Sequence, residues 1–194
     1  MKGPQKQFDR VHVLRTLLII EREEMIGRKE LAKKLSLGEG TVRSILKTLI
    51  KKGYLKSTVA KGHRLSNKGK QFITKLHDFV LGPKIVDAEE LTIGNKDVAI
   101  VVKNAAKKVK LGIDERDAAI KIGSLGVTAL IFQNNELKFP GQTELKVKDR
   151  NLYKLFEFRE DDVLLIGTDN TYNKAENAAI AALFALLGDK IAIS

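Results

Sequence analysis

Apolar residues recur every three or four positions along three successive segments of the N-terminal half. This spacing predicts amphipathic helices over residues 8–23, 28–35 and about 40–52. The glycines of the segment SLGEG separate the second helix from the third. Gly53 directly follows the third helix, and glycine most easily takes the left-handed conformation that ends a helix. The pattern therefore predicts helix, helix, turn, helix.

After the third helix the spacing of apolar residues becomes alternating. The segment YLKSTVAKGHRLS predicts two short strands around a turn at residues 60–62. Ser66 is a typical N-cap for a fourth helix, whose apolar stripe runs over residues 72–80. The segment LGP at residues 81–83 predicts a linker, and hence a domain boundary.

The second half alternates strand and helix patterns. In order, these predict strands over residues 84–93 and 97–103, and then a helix that Asp114 caps and that Gly123 or Gly126 ends. They next predict a hairpin over residues 127–141 with its turn at 133–135, a strand over 161–167 and an alanine-rich helix over 173–188. Together they predict a compact α/β or α+β domain of ordinary size. The alanine-rich helix could pack on the sheet or across a dimer interface, and we expect packing within the core.

The predicted third helix has an outer face without acidic side chains. Hydroxyl and basic side chains lie between its apolar positions: Thr41, Arg43, Ser44, Lys47, Thr48, Lys51 and Lys52. In a DNA major groove, arginine pairs with guanine edges, serine and threonine contact bases or phosphates, and lysine neutralises phosphates. A helix-turn-helix whose second helix lies in the major groove fits this pattern.

The positive charge of the chain is concentrated in its first half. The formal net charge is +11. Residues 1–80 contain 19 Lys and Arg against 7 Asp and Glu, whereas residues 81–194 contain 16 against 17. This asymmetry predicts a nucleic acid or an anionic surface as the partner of the first half. A lysine-rich thermophilic surface is the alternative, but it does not explain why acids are scarce in only one half.

The segment RKELAKKLSLGEGTVRSILKTLIKKGYLKSTVAKGHRLSNKGKQFI resembles the winged helix-turn-helix domain of bacterial and archaeal transcription regulators. The shared pattern is an ELA..L helix, then TVR..L..L...G.L, a wing, and L(T/S)..G. The turn differs, since the chain has SLG where the common order is GLS. The whole chain also resembles archaeal winged-helix proteins whose C-terminal domain is uncharacterised. These resemblances imply an α+β chain, with a winged helix-turn-helix domain over residues 1–81 and a smaller-sheet α/β domain over residues 82–194.

The resemblance implies DNA contacts from three places. The third helix would contribute Thr41, Arg43, Ser44, Lys47, Thr48 and Lys51, with Arg43 as the main base contact. Arg28 and Lys29 would start the helix that crosses the DNA backbone. The wing residues Lys61, His63 and Arg64 would contact phosphate or the minor groove. Any single lysine in this set could equally be a solvated surface charge.

In the second half, the segment LLIGTDNTYNKAENAAIAA predicts a strand, a polar loop and a helix. Because ligands bind α/β sheets where strands end, the loop residues Thr168, Asp169, Asn170 and Thr171 are candidates for a ligand site. The amides at the helix start favour an anion, whereas Asp169 favours a cation or a hydroxyl group. An ordinary helix cap by Asp169, Asn170 or Thr171 is the commoner role of such residues.

The sequence contains no pattern of catalytic or metal-binding residues. It has no cysteine, its three histidines are far apart, and no nucleotide-binding loop or serine-hydrolase motif is present. We therefore expect no enzyme activity, no metal and no cofactor. The N-terminus lacks a signal-peptide pattern and no apolar run reaches membrane-spanning length, so we expect a cytoplasmic protein without membrane contact.

These patterns together predict a sequence-specific transcription regulator that binds double-stranded DNA. We expect a homodimer, because one recognition helix covers few bases and operators are commonly two-fold symmetric. Leu76, Phe79 and Val80 are candidates for its interface. The second domain would dimerise, bind a small-molecule effector, or do both. The alternative is a winged helix that binds RNA or docks a protein within a larger assembly.

Overall fold

The computed structural model describes residues 8–58, 62–142, 146–147, 150–191 and 193. The chain divides into two compact units, and the boundary between them lies between Leu76 and His77. None of the described helices is long and apolar enough to cross a membrane.

The first unit contains the predicted helices and the predicted pair of strands. Its elements are α1 (Arg10–Glu23), β1 (Ile26–Gly27), α2 (Arg28–Leu35), α3 (Glu39–Lys51), β2 (Leu55–Ser57), β3 (Gly62–Leu65) and α4 (Asn67–His77). The apolar stripes of the helices face one another and are fully buried at Leu17, Leu31, Ile45 and Leu49. Burial of these stripes is what holds the short helices in place, since isolated helices of this length are marginal in water.

Local capping fixes where the helices of this unit begin and end. The Asp9 side chain accepts a hydrogen bond from the His12 amide at 3.1 Å and so caps α1. As predicted, the Ser66 hydroxyl caps α4 by accepting from the Gly69 amide at 3.0 Å. Gly53 follows α3 with a φ of 78°, the left-handed conformation expected of it.

The strands of the first unit form a sheet in the order β1-β3-β2. His63 at the middle of β3 lies opposite Ile26 on one side and Ser57 on the other. The strand β1 was not predicted, because two residues are too few to produce an alternating pattern. Of the predicted turn at residues 60–62, positions 60 and 61 lie outside the described residues.

The predicted end of the fourth helix and the predicted linker are both wrong. Helix α4 ends at His77, and Val80 begins the strand β4 (Val80–Val86), where it pairs with Val102. Residues 81–83 therefore lie inside a strand. Leu76 and Val80 are each only 3% exposed, so they cannot provide the predicted dimer contact without rearrangement. Phe79, the third residue of that set, lies between the helix and the strand and is half-buried.

The second unit is built on an antiparallel sheet. Its elements are β4, β5 (Lys96–Val102), α5 (Ile113–Lys121), β6 (Gly126–Gln133), β7 (Glu136–Lys138), β8 (Lys146–Val147), α6 (Arg150–Leu155), β9 (Val163–Asp169) and α7 (Tyr172–Leu187). In the described residues the strand order is β4-β5-β9-β6-β7-β8, and every neighbouring pair is antiparallel. The α+β fold class predicted from the sequence is confirmed.

The central strand β9 is buried on both faces of this sheet. On one face Leu164 and Ile166 join an apolar cluster that includes Leu130 and Phe156. On the other face α7 packs on β9, and its alanines allow the close approach expected of them. Gly167 marks the closest point, because a Cβ there would collide with the carbonyl of Ala175. Core packing of the alanine-rich helix is thereby confirmed.

Three local predictions in this unit have different outcomes. The hairpin turn is confirmed, since Asn134 and Asn135 join β6 to β7 with φ angles of 55° and 63°. The strand predicted over residues 84–93 is too long, because β4 ends at Val86 and residues 89–91 form a 3-10 helix. Helix α5 is preceded by Gly112 as its N-cap, so the predicted cap by Asp114 is wrong.

Candidate nucleic-acid interface

A groove in the first unit lies between α3, the start of α2 and the strands β2 and β3. Its volume is about 990 Å³. Its lining residues are Gly27, Arg28, Lys29, Glu30, Arg43, Leu46, Lys47, Ile50, Lys51, Ser57, Thr58, Gly62 and His63. This surface, called the α3 groove below, brings together six of the residues for which the sequence predicted DNA contacts.

The rim of the α3 groove is basic and its floor is apolar. Arg43, Lys47 and Lys51 follow one another at intervals of four residues, so they project from the same side of α3. All three are exposed. The floor between α3 and the strands contains Leu46, which is buried, and Ile50, which is 38% exposed. Such a surface can bind a polyanion along its rim and an apolar group at its floor.

Arg28 and Lys29 come from the first turn of α2 and extend the basic rim. Glu30, the next residue of that turn, is acidic, exposed and lines the same groove. Arg28 also pairs with Glu39, its Nη2 lying 3.1 Å from Oε2 of the carboxylate. Glu39 is the first residue of α3, so this helix begins one residue earlier than predicted and includes an acidic group. Both side chains are more than a third exposed, so the pair contributes at most about 1 kcal/mol to stability.

Ser44 and Thr48 lie on α3 beside the α3 groove rather than within it. The Ser44 hydroxyl donates to the Gly40 carbonyl at 3.2 Å, and the Thr48 hydroxyl donates to the Ser44 carbonyl at 2.9 Å. In this arrangement their oxygens present only lone pairs to the outside. They can therefore accept hydrogen bonds from base amino groups, whereas donation to a phosphate would require the hydroxyl to rotate.

Thr41 is only 9% exposed and lies on the buried side of α3. Its predicted outward placement is wrong, because position 41 shares the inner face with Val42 and Ile45. The neighbouring Gly40 and Arg43 are both exposed.

The wing residues predicted to contact DNA face two different sides. His63 lines the α3 groove, whereas Arg64 lines a second groove of about 700 Å³ together with Glu21, Glu24 and Lys56. Arg64 lies directly opposite Lys56 across the β2–β3 pair, so two like charges are neighbours there. Lys61, the third predicted wing residue, lies outside the described residues.

His63 is half-buried between neighbouring strands, and its environment favours the neutral ring. Burial lowers the pKa of His63 below its usual value; the backbone of Ile26 raises the pKa in part, and the charge of Arg28 lowers it again. The ring atom Nδ1 has no hydrogen-bond partner among the described residues. His63 therefore does not supply a positive charge for phosphate at neutral pH.

Comparisons with known proteins cover both units. Residues 12–71 match the family model described as PH0730-like, N-terminal domain, and residues 93–186 match a domain of unknown function, DUF4443. The solved structure of hypothetical protein PH0730 from Pyrococcus horikoshii OT3 is 30% identical over 96% of each chain, with a TM-score of 0.81. The chain belongs to the PH0730-like family. No curated protein matches it.

A second solved structure resembles this PH0730-like protein only weakly. It is an IclR-family protein from Rhodococcus sp., 14% identical, covering 76% of this chain and 50% of that one, with a TM-score of 0.29. That score is too low to indicate a shared fold. The α3 groove lies wholly within the residues that match the PH0730-like N-terminal domain.

In this member of the PH0730-like family, side chains of the loop predicted to bind a ligand accept hydrogen bonds from backbone amides of the same chain. The buried Thr168 hydroxyl accepts from the Gly94 amide at 3.0 Å, and the buried Asp169 carboxylate accepts from the Leu125 amide at 3.1 Å. Thr171 caps α7 by accepting from the Lys174 amide at 3.4 Å. The helix-cap interpretation is therefore confirmed for Thr171.

The sheet topology also gives no support to a ligand site at residues 168–171. Ligands bind α/β sheets at the carboxyl ends of parallel strands, whereas β9 is antiparallel to both of its neighbours. Asn170 is exposed and its amide donates to the Asp169 carboxylate at 2.7 Å. Ligand binding by these residues stays a prediction.

Proposed function

We propose that this protein is a sequence-specific, DNA-binding transcription regulator. The observation that carries the proposal is the row of Arg43, Lys47 and Lys51 along the outer side of α3. This row lies on the second helix of a helix-turn-helix pair, in the half of the chain where Lys and Arg outnumber Asp and Glu by 19 to 7. The element order of the first unit agrees with a winged helix, in which β2 and β3 form the wing.

The α3 groove presents the helix and the basic side chains that binding of double-stranded DNA requires. Helix α3 has 13 residues and a length of about 20 Å, enough to lie along a major groove. Arg43 near its start would pair with a guanine edge, and Lys47 and Lys51 would neutralise phosphates. Arg28 and Lys29 would contact the phosphates on the other side of the groove.

The proposal includes a dimer and a regulatory second unit. One recognition helix contacts too few base pairs for high specificity, so two copies would bind two half-sites. The second half of the chain is nearly neutral, with 16 Lys and Arg against 17 Asp and Glu, and its role would be dimerisation and effector binding rather than DNA contact. We propose no catalytic role for either unit.

One observation favours the alternative of a docking module. Ile50 is 38% exposed beside Leu46 in the floor of the α3 groove, and an apolar floor also suits a protein or an unstacked RNA base. The basic rim is common to both functions, so only the choice of partner distinguishes them.

Binding titrations with nucleic acids of different kinds test the proposal. Fluorescent duplex DNA, duplex RNA and single-stranded RNA of equal length are titrated with the full chain at rising salt. We expect the tightest binding to duplex DNA, with a slope of log K against log salt of about −0.9 for each phosphate contacted. Lys47→Glu should abolish binding, whereas Lys75→Glu, an exposed lysine of α4 outside the α3 groove, should weaken it only slightly. Tighter binding to either RNA would contradict the proposal and favour the alternative.

A further inference from the structure

The second unit contains a cleft that the DNA-binding function does not use. It has a volume of about 520 Å³, within the range of small-molecule sites, and lies where β4 ends and β5 and α7 begin. Polar residues from separate segments line it, among them Asp97 of β5, Lys154 of α6 and Tyr172 of α7. Convergence of several segments on one cleft is typical of ligand sites.

Asp97 is a buried carboxylate at one side of this cleft. It is only 3% exposed. Its Oδ2 atom accepts from the Ala88 amide at 3.3 Å and from the Thr92 hydroxyl at 3.1 Å. Its Oδ1 atom has no hydrogen-bond partner among the described residues. A buried carboxylate oxygen without a donor is destabilising. A small turn of the Asp97 side chain toward the cleft would let Oδ1 accept from a bound ammonium group and so satisfy this unmet requirement.

The residues Lys96 and Lys154 supply positive charge to the same cleft, which is also lined by the exposed carboxylate of Asp87. Neither forms an ion pair with a carboxylate among the described residues. The Lys96 ammonium lies 5.3 Å from the centroid of the Tyr172 ring, at the first residue of α7. The positive end of the α7 dipole adds to the same potential. An anionic group of a ligand would be stabilised here.

We propose that this cleft binds a free amino acid. The two lysines and the start of α7 would hold its carboxylate, and Asp97 would hold its ammonium group. Ile85 and Leu155, exposed at 59% and 37%, would cover an apolar side chain. Regulation of DNA binding by this ligand rests on the proposed function. Binding of the amino acid to the cleft does not rest on it, and is measured without DNA.

Thermal unfolding of the full chain tests the site. Each proteinogenic amino acid is added separately at about 10 mM, which is about ten times a Kd of 1 mM and therefore raises the Tm if the ligand binds the folded chain. We expect a rise with at least one amino acid that has an apolar side chain. No rise with any of them overturns the proposal and leaves the DNA-binding function untouched.

Variants and ligand derivatives locate the binding. Asp97→Asn and Lys154→Ala should each weaken binding about ten-fold, as expected for the loss of a charged hydrogen bond. Lys121→Ala, an exposed lysine of α5 that does not line the cleft, should leave binding unchanged. The amide and the N-acetyl derivative of the bound amino acid should each bind less tightly. If Asp97→Asn does not fold, Lys154→Ala decides, and full binding by that exposed variant overturns the proposal.

Discussion

The guanidinium of Arg28 and the carboxylate of Glu39 lie 3.1 Å apart and join the first turn of α2 to the first turn of α3. This contact places the one acidic residue of α3 beside a cation of the proposed DNA-binding surface. The pair is half-exposed, so it can open at little cost when a phosphate approaches Arg28. It therefore limits the positive potential of the α3 groove in the free protein.

The variant Glu39→Gln should bind DNA more tightly. The substitution removes a negative charge beside the α3 groove and frees Arg28, so we expect a gain in binding free energy of about 0.5–1 kcal/mol, or roughly two- to five-fold in Kd. Fluorescence anisotropy with duplex DNA measures it. Glu90→Gln, at an exposed glutamate of the second unit, is the control and should change nothing. Weaker binding of Glu39→Gln would mean that the pair instead positions Arg28 for contact.

Arg43→Ala should relax the base preference at one position of the binding site. Loss of a bidentate contact with guanine costs about 1–3 kcal/mol at that position and little elsewhere. Affinities for a binding site and its single-base variants measure the effect. Arg22→Ala, which removes the same charge at the exposed end of α1, should keep the preference. An equal loss on every sequence would reassign Arg43 to phosphate contact.

Loss of the hydroxyl should affect mainly the stability of the fold at Thr41 and mainly DNA binding at Ser44. Thr41→Val alters a buried position, so we expect a loss of about 1 kcal/mol in the free energy of unfolding and unchanged DNA affinity. Ser44→Ala alters an exposed position of α3, so we expect a change in stability of less than about 0.5 kcal/mol and weaker DNA binding. Urea unfolding and anisotropy measure the two effects. Weaker DNA binding by a stably folded Thr41→Val variant would contradict this assignment.

His63 should make the stability of the protein sensitive to acid. Because the pKa of His63 is lowered in the folded state, the unfolded chain binds the proton more readily, and stability falls as the pH falls through the usual and then the lowered pKa. Between about pH 7.5 and about pH 5, the wild type should lose more unfolding free energy than His63→Gln.

The same protonation should strengthen DNA binding, because it adds a positive charge to the α3 groove. His77→Gln, at a histidine outside that groove, serves as the control for both measurements. Identical pH profiles of the wild type and His63→Gln would contradict a lowered pKa of His63 in the folded protein.

Gly167→Ala should destabilise the second unit. The added Cβ would collide with the Ala175 carbonyl and lie 2.5 Å from the Ala179 nitrogen, and neither backbone atom can move without shifting α7. We expect a loss of about 1–3 kcal/mol or more in the free energy of unfolding, measured with denaturant. Gly126→Ala in the neighbouring strand has no atom within 4 Å of the new Cβ and should cost far less. Equal losses of unfolding free energy in the two variants would indicate an effect of strand propensity rather than a collision at position 167.

The elements that the sequence predicted well are those determined by neighbouring residues. The helices of the first unit follow from apolar spacing, and the hairpin turn follows from Asn134 and Asn135, which tolerate a positive φ. The segment LGP predicts a linker for an equally local reason, because glycine and proline favour turns. Sheet pairing of Leu81 with Val101 overrides that preference, and such pairing depends on a strand 20 residues away.

For the same reason, only part of the grouping of the predicted residues follows from the sequence. Charge and spacing were enough to place Arg43, Lys47 and Lys51 on one surface, because one helix carries them all. The ion pair of Arg28 with Glu39 and the separation of His63 from Arg64 depend on how elements pack, so no local pattern indicates them. The unpartnered oxygen of Asp97 likewise depends on contacts between segments.

Selection of bound fragments from random duplex DNA tests the central claim most directly. The selection is run at about 0.15–0.2 M salt, where binding through phosphates alone is weak. We expect one enriched, two-fold symmetric site, with a guanine position that loses its enrichment when the selection is repeated with Arg43→Ala. Recovery of no common sequence, with binding that disappears as salt rises, would contradict sequence-specific regulation.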